Sequence, residues 1–200
     1  MLLGLQSLLC EEAVMLSEEE ILLTIQEDEW MMDALQTVRK LKLEDWWICA
    51  GFVRSKIWDV VHQFEERTPL PDIDVIYFDQ QHAEEGSDRA LEAKLHTLKP
   101  NLPWSVKNQA RMHTRNQTPP YKSSVDAMSK FPETATALGV TLTPHGELIL
   151  AAPHGINDAV TLQVKPTPCF QEDPKRKEIY INRVTKKDWK KAWPKISVYY

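Results

Sequence analysis

No apolar run in the sequence approaches the ~20 residues that a helical membrane span needs. The three cysteines, Cys10, Cys49 and Cys169, are odd in number, far apart and without a C-x-x-C pair. That argues against a disulfide framework and against a zinc site, and points to a reducing, cytoplasmic setting. The six histidines show no H-E-x-x-H spacing, and neither G-x-S-x-G nor G-x-x-x-x-G-K-[ST] occurs, so zinc-protease, nucleophile-elbow and P-loop chemistry lack their motifs. Lys and Arg are absent between Glu11 and Asp33, and the net charge of −5 gives no global nucleic-acid footprint. The acidic body disfavours long duplex nucleic acid as a partner. The opening MLLGLQSLLCEEAV has neither a basic n-region nor a small-residue cleavage site, so it does not read as a signal peptide. Met15 leads straight into SEEE and reads as a translation start, which makes residues 1–16 an extension.

What remains is a chain with 42% hydrophobic and 26% charged residues, without repeats or low-complexity segments, long enough to bury a core. Ser17 and Glu20 form an S-x-x-E capping box that opens a helix through about Gln26. EWMMDALQTVRKLK follows with Met31, Leu35, Val38 and Leu41 at helical spacing. Trp46 to Ala50 reads as a short buried strand ended by Gly51, Phe52 to Phe64 as a helix, and Ile73 to Phe78 as a second strand. A helix over Ser87–Leu98, a strand over Trp104–His113, a helix across SVDAMSKFPETATALG interrupted at Pro132, and a hairpin across TPHG continue the pattern. The fold class is α/β (α+β), a mixed sheet flanked by helices, with a main domain over residues 17–170. Basic residues return between Lys175 and Lys195; the segment 171–200 reads as packed on that domain with its charges solvated. Trp189 and Trp193, four apart, read as its docking residues.

The chemistry is concentrated in DIDVIYFD. Side chains alternate along a strand, so Asp72 and Asp74 share one face while Ile73, Val75 and Tyr77 share the other. Two co-facing carboxylates form a hard-oxygen site that suits Mg²⁺, with Mn²⁺ as a substitute, and Mg²⁺ leaves its other positions to water and phosphates. An isolated D-x-D more often ends a loop on the surface. Here it follows a glycine turn into a helix, whose N-terminal N–H groups make a natural phosphate cradle. Arg54, in that helix's first turn, adds a bidentate donor.

A glycine turn followed by D-x-D resembles the nucleotidyltransferase superfamily of the DNA polymerase beta type. WWICAGFVRSKIWD, DIDVIYFD, WSVKNQARMH, PPYKSSVDA, FPETATALGV and LILAAPHGINDAV together resemble a bacterial nucleotidyltransferase-like family of unassigned substrate, over roughly Leu22 to Pro168. The resemblance implies that Asp72 and Asp74 are catalytic and bind Mg²⁺, and that the turn at Gly51, Phe52 and Arg54 faces a nucleoside triphosphate. It also favours Lys107 and Asn108 as lining the nucleotide cleft. The implied reaction transfers a nucleoside monophosphate to an acceptor and releases pyrophosphate; no motif names the acceptor, the base or an oligomeric state.

Two departures stand out. Phe52 follows the glycine where the superfamily usually has Gly or Ser. The strand expected to carry a third carboxylate, Trp104–His113, contains no Asp or Glu, leaving Asp126, Glu133 and Asp158 as candidates from loops. The alternative is therefore a catalytically degenerate nucleotide-binding or protein-interaction module.

Overall fold

The computed structural model describes residues 16–200. The expected 1–16 extension, apart from Leu16, and the expected start at Met15 lie outside the described residues. Ser17 caps α1 (Glu18–Gln26) with the anticipated capping box, and Asp28 caps α2 (Glu29–Arg39) by accepting from the Met31 N–H. Met31, Leu35 and Val38 are fully buried along one face of α2. Next come β1 (Trp47–Cys49), α3 (Gly51–Val61), β2 (Ile73–Tyr77), α4 (Glu85–Leu98), β3 (Trp104–Asn108), α5 (Gln109–Asn116) and α6 (Ser124–Met128). β4 (Gly139–Leu142) and β5 (Leu148–Ala151) form the expected hairpin. The remainder holds α7 (Asn157–Val160), β6 (Gln163–Val164), α8 (Pro168–Gln171), α9 (Pro174–Lys187) and β7 (Ser197–Val198).

Five strands make one mixed sheet in the order β3-β2-β1-β4-β5. β2 and β3 are parallel and joined by α4, while β1 runs antiparallel to both β2 and β4. One face carries Ile48, Ile73, Val75, Val106 and Val140 into the main core beneath α2, α3 and α4. The other carries Cys49 and Ile76 into a smaller cluster with Met128 of α6 and Ala137. No helix among the described residues is long and apolar enough to cross a membrane.

Three local readings change. The segment Trp104–His113 is a strand only to Asn108; from Gln109 it is helix α5. Asn108 is the N-cap, its side-chain carbonyl accepting from the Ala110 N–H, so the polar run after it is a helix surface rather than one face of an edge strand. α6 ends at Met128, and a 3₁₀ turn at Thr134–Thr136 replaces its expected continuation beyond Pro132. At the β1–α3 junction the unusual backbone belongs to Ala50, at φ 55° and ψ −117°, not to Gly51. This positive-φ residue lets the chain reverse from strand into helix within one peptide.

Candidate functional site

α3 is built for burial at its start: Phe52, Val53, Arg54, Ser55, Ile57, Trp58 and Asp59 are all enclosed. No side chain caps it, so its first N–H groups remain open to whatever sits against the Ala50–Gly51 turn. A cavity of about 390 Å³ lies there, lined among others by Gly51, Arg54, Asp72, Asp74, Arg183 and Lys187. A Cβ built on Gly51 would meet only Arg54 Nη2 at 3.6 Å and Leu70 Cδ2 at 3.7 Å, ordinary contacts. The fold itself therefore tolerates a side chain at Gly51; its absence leaves room in the cavity.

Asp74 on β2 and Asp72, the residue just before the strand's start, both line this space. Burial and the neighbouring Asp72 charge raise the Asp74 carboxyl from an ordinary 3.8 to about 6. Arg183, Lys187 and a hydrogen bond from Ser105 pull the other way without reversing the shift. The same two acids, with burial foremost, push the Cys49 thiol well up. Ser105 stands in register with Asp74 on the adjacent parallel strand β3. Its hydroxyl donates to the Asp74 carboxylate, on a strand that carries no Asp or Glu.

Opposite the acids the walls are cationic. Arg54 is 6% exposed, lies over the rings of Trp58, Trp189 and Trp193 at 4.9, 4.6 and 5.5 Å, and donates from Nη2 to Ser55 Oγ. Its Nε is buried without a hydrogen-bond partner among the described residues. Burial lowers its pKa to about 10, a loss that the nearby Glu133 charge partly offsets. The guanidinium stays charged at neutral pH and is held by π-faces, with hydrogen-bonding capacity in reserve.

Arg183 and Lys187, one helical turn apart on α9, line the cavity. Arg183 is half-buried here, whereas Lys187 keeps the solvent exposure expected of the C-terminal cations. Arg183 donates from Nε to the fully buried carboxylate of Glu133 at 2.7 Å, and Glu133 also accepts from Thr136 Oγ1 at 2.7 Å. The last residues of the wall are fastened by α3. Asp59 accepts from Trp193 Nε1 (2.8 Å) and from Thr68 N and Oγ1, while His62 Nε2 accepts from the Lys195 N–H. Trp58 meets Trp189 and Trp193 edge-on. These docked tryptophans were anticipated from their spacing; Arg183, Lys187 and Ser105 were not. The available signal was the i, i+4 pair of cations on the face of α9 that also carries the buried Tyr180 and Val184.

The other expected site residues divide. Phe52 presents only backbone to the turn, since its ring is buried and stacks on Trp30 at 5.8 Å. Lys107 and Asn108 lie outside this cavity. Lys107 Nζ donates to Val106 O, and the Asn108 amide donates to the carbonyls of Asp79 and His82. Of the acids expected to reach in from loops, Glu133 backs Arg183, while Asp158 in α7 pairs with Lys165 and Asp126 in α6 accepts from the Lys122 N–H. Among the described residues, no third His, Cys, Asp or Glu joins Asp72 and Asp74 in a metal-holding group.

The profile of a nucleotidyltransferase family matches residues 36–198. A protein whose NMR structure is described as revealing a CCA-adding enzyme head domain is 38% identical, with a TM-score of 0.81 over 92% of this chain and 96% of that one. A CCA-adding enzyme in complex with CTP (12% identity, TM-score 0.55) is covered to 44% of its length. The Thermotoga maritima CCA-adding enzyme in complex with tRNA (12%, 0.53) is covered to 43%. The chain thus spans less than half of these two enzymes, and at that identity the likeness is one of fold. No curated protein matches the chain in sequence.

Proposed function

The chain belongs to this nucleotidyltransferase family, and from that premise we propose that it binds a nucleoside triphosphate with Mg²⁺ and transfers the nucleoside monophosphate to an acceptor hydroxyl or phosphate. The observation that carries the reading is one cavity in which Asp72 and Asp74 face Arg54, Arg183 and Lys187 across an uncapped helix start. The donor set fits a divalent cation: two hard carboxylate oxygens that repel each other when alone, with space beside them for phosphate oxygens. Such a cation, when bound, supplies charge neutralisation for the triphosphate.

The chain's own residues hold the polyphosphate. The first N–H groups of α3 meet one phosphate, with Gly51 letting it approach the backbone. Arg54 offers a guanidinium that the tryptophans keep from swinging away. Arg183 and Lys187 neutralise charge on the opposite side, Arg183 being aimed by Glu133. An acceptor oxygen bonds to the α-phosphorus as the bond to the bridging oxygen breaks. Pyrophosphate leaves with that electron pair, and the proton of a hydroxyl acceptor passes to solvent.

Ser105 in place of a third acid favours a second reading, in which the cavity binds nucleotide without turnover. Calorimetric titration with ATP, GTP, CTP and UTP, with and without Mg²⁺ or Mn²⁺, tests the first claim. Metal-dependent binding that is lost in Asp72→Ala and Asp74→Ala is expected; no binding of any of the four would refute it. A pyrophosphate-release assay against a panel of acceptors then separates the readings, since the binding module releases none.

A further inference from the structure

Helix α9 serves two cavities. Its residues Arg183 and Lys187 line the first; Arg176, Ile179 and Arg183 line a second, of about 780 Å³, which α5 and α8 also border. At about 1.5 Å rise per residue, Arg176 lies ~10 Å along the axis from Arg183, the residue that both spaces share. The second cleft departs from the charge of the whole chain. Arg115, Lys130, Lys175, Arg176 and Arg183 border it against the single carboxylate of Asp173.

Three of its cations are already ion-paired, Lys130 with Asp126, Arg176 with Asp173 and Arg183 with Glu133. Arg176 is fixed, donating from Nη1 to Cys169 Sγ at 2.7 Å and from Nη2 to the carbonyl of Gln117 at 2.9 Å. Arg115 and Lys175 are exposed and have no side-chain hydrogen bond or ion pair among the described residues. Between them the lining is apolar and aromatic: Tyr121, Phe131, Phe170 and Ile179, the last 56% exposed despite its hydrophobicity. Phe131 also packs against the cluster that contains Ala50, which ties this lining to the turn at the first cavity.

Cations at the rim and rings in the wall suit an anionic head on a planar or apolar body. The volume is that of a small-molecule site. We propose that this cleft is the acceptor site and takes a small organic phosphate. The assignment rests on the nucleotide-transfer reading above and deepens it by naming the acceptor's chemical class.

The test is a backbone-amide NMR titration of the full chain with phenyl phosphate, without metal or nucleotide, with inorganic phosphate and phenol as separate arms. Saturable shifts at Gln117, Phe170 and Arg176 are expected, with phenyl phosphate the tightest of the three. Arg115→Glu/Lys175→Glu should weaken it about tenfold or more; both side chains are exposed, so the reversal spares the fold. Shifts confined to Gly51 and Asp74, or an affinity unchanged by the reversal, would overturn the assignment. A single-stranded oligonucleotide displacing phenyl phosphate at comparable concentration would overturn the small-molecule class. Mg²⁺-ATP is titrated separately and read at Gly51 and Asp74, so failure of the nucleotide reading appears at different residues.

Discussion

Replacing Asp74 with Asn should make the metal-free protein more stable, by an amount that depends on pH. The carboxyl titrates near 6 in the fold against 3.8 ordinarily, because burial and Asp72 both oppose its charge. A raised carboxyl pKa contributes stability below its unfolded value, and that contribution is lost as pH rises through the folded value. The penalty therefore grows from about pH 4 and levels off above about pH 7. Two pKa units correspond to about 3 kcal/mol at pH 7–8, and the same linkage leaves about 1 kcal/mol at pH 4.5. Asparagine keeps the shape and can still accept from Ser105 but never ionises. Asp74→Asn should thus raise Tm by roughly 6–10 °C at pH 7.5 for a domain of this size, and by a third of that at pH 4.5. Thermal melts in EDTA across pH 4.5–8 would measure it. A gain independent of pH, or no gain at pH 7.5, would refute the electrostatic account of the pair.

Glu133→Gln should cost about 2 kcal/mol in urea denaturation, because a fully buried carboxylate paired with Arg183 is lost, and should weaken triphosphate binding in the same calorimetric assay. Gly139→Ala brings a Cβ to 2.5 Å from Met128 Cε and should cost about 1–3 kcal/mol. Combined with Met128→Ala, the loss should fall short of the sum of the single losses; strict additivity in denaturant melts would contradict the packing reason. Asn108→Ala removes the cap of α5 and the amide's two bonds to the 79–82 turn. It should cost about 2–3 kcal/mol while leaving Mg²⁺-triphosphate affinity within twofold by calorimetry.

Local signals carried the strands around the site. The alternation in DIDVIYFD placed Asp72 and Asp74 on one face, and the periodicity of Phe52–Phe64 gave the helix whose start frames the cavity. Trp104–His113 misled because a polar run after a strand reads the same whether it continues the strand or wraps a helix; the Asn108 cap was the deciding residue. Arg183 and Lys187 were missed as site residues because their i, i+4 spacing on the face of Tyr180 and Val184 is embedded in a longer run of cations. Their aim is set by contacts far along the chain: Glu133 to Arg183, Asp59 to Trp193 and His62 to Lys195. The geometry at Ala50 was hidden for a different reason, the neighbouring glycine being the more obvious residue for a tight reversal.

The docking of α9 and the residues after it also sets an order in time. Roughly 110 residues separate Asp74 from Lys187, so at about 5–20 residues per second the acids leave the ribosome on the order of ten seconds before the helix that completes their cavity. During that interval Arg54 lacks two of the three rings it lies over, and the carboxylates lack Arg183 and Lys187. A nascent chain can thus lay down β1, α3 and β2 before the cations of α9 reach the acids, and the cavity is completed only when α9 docks.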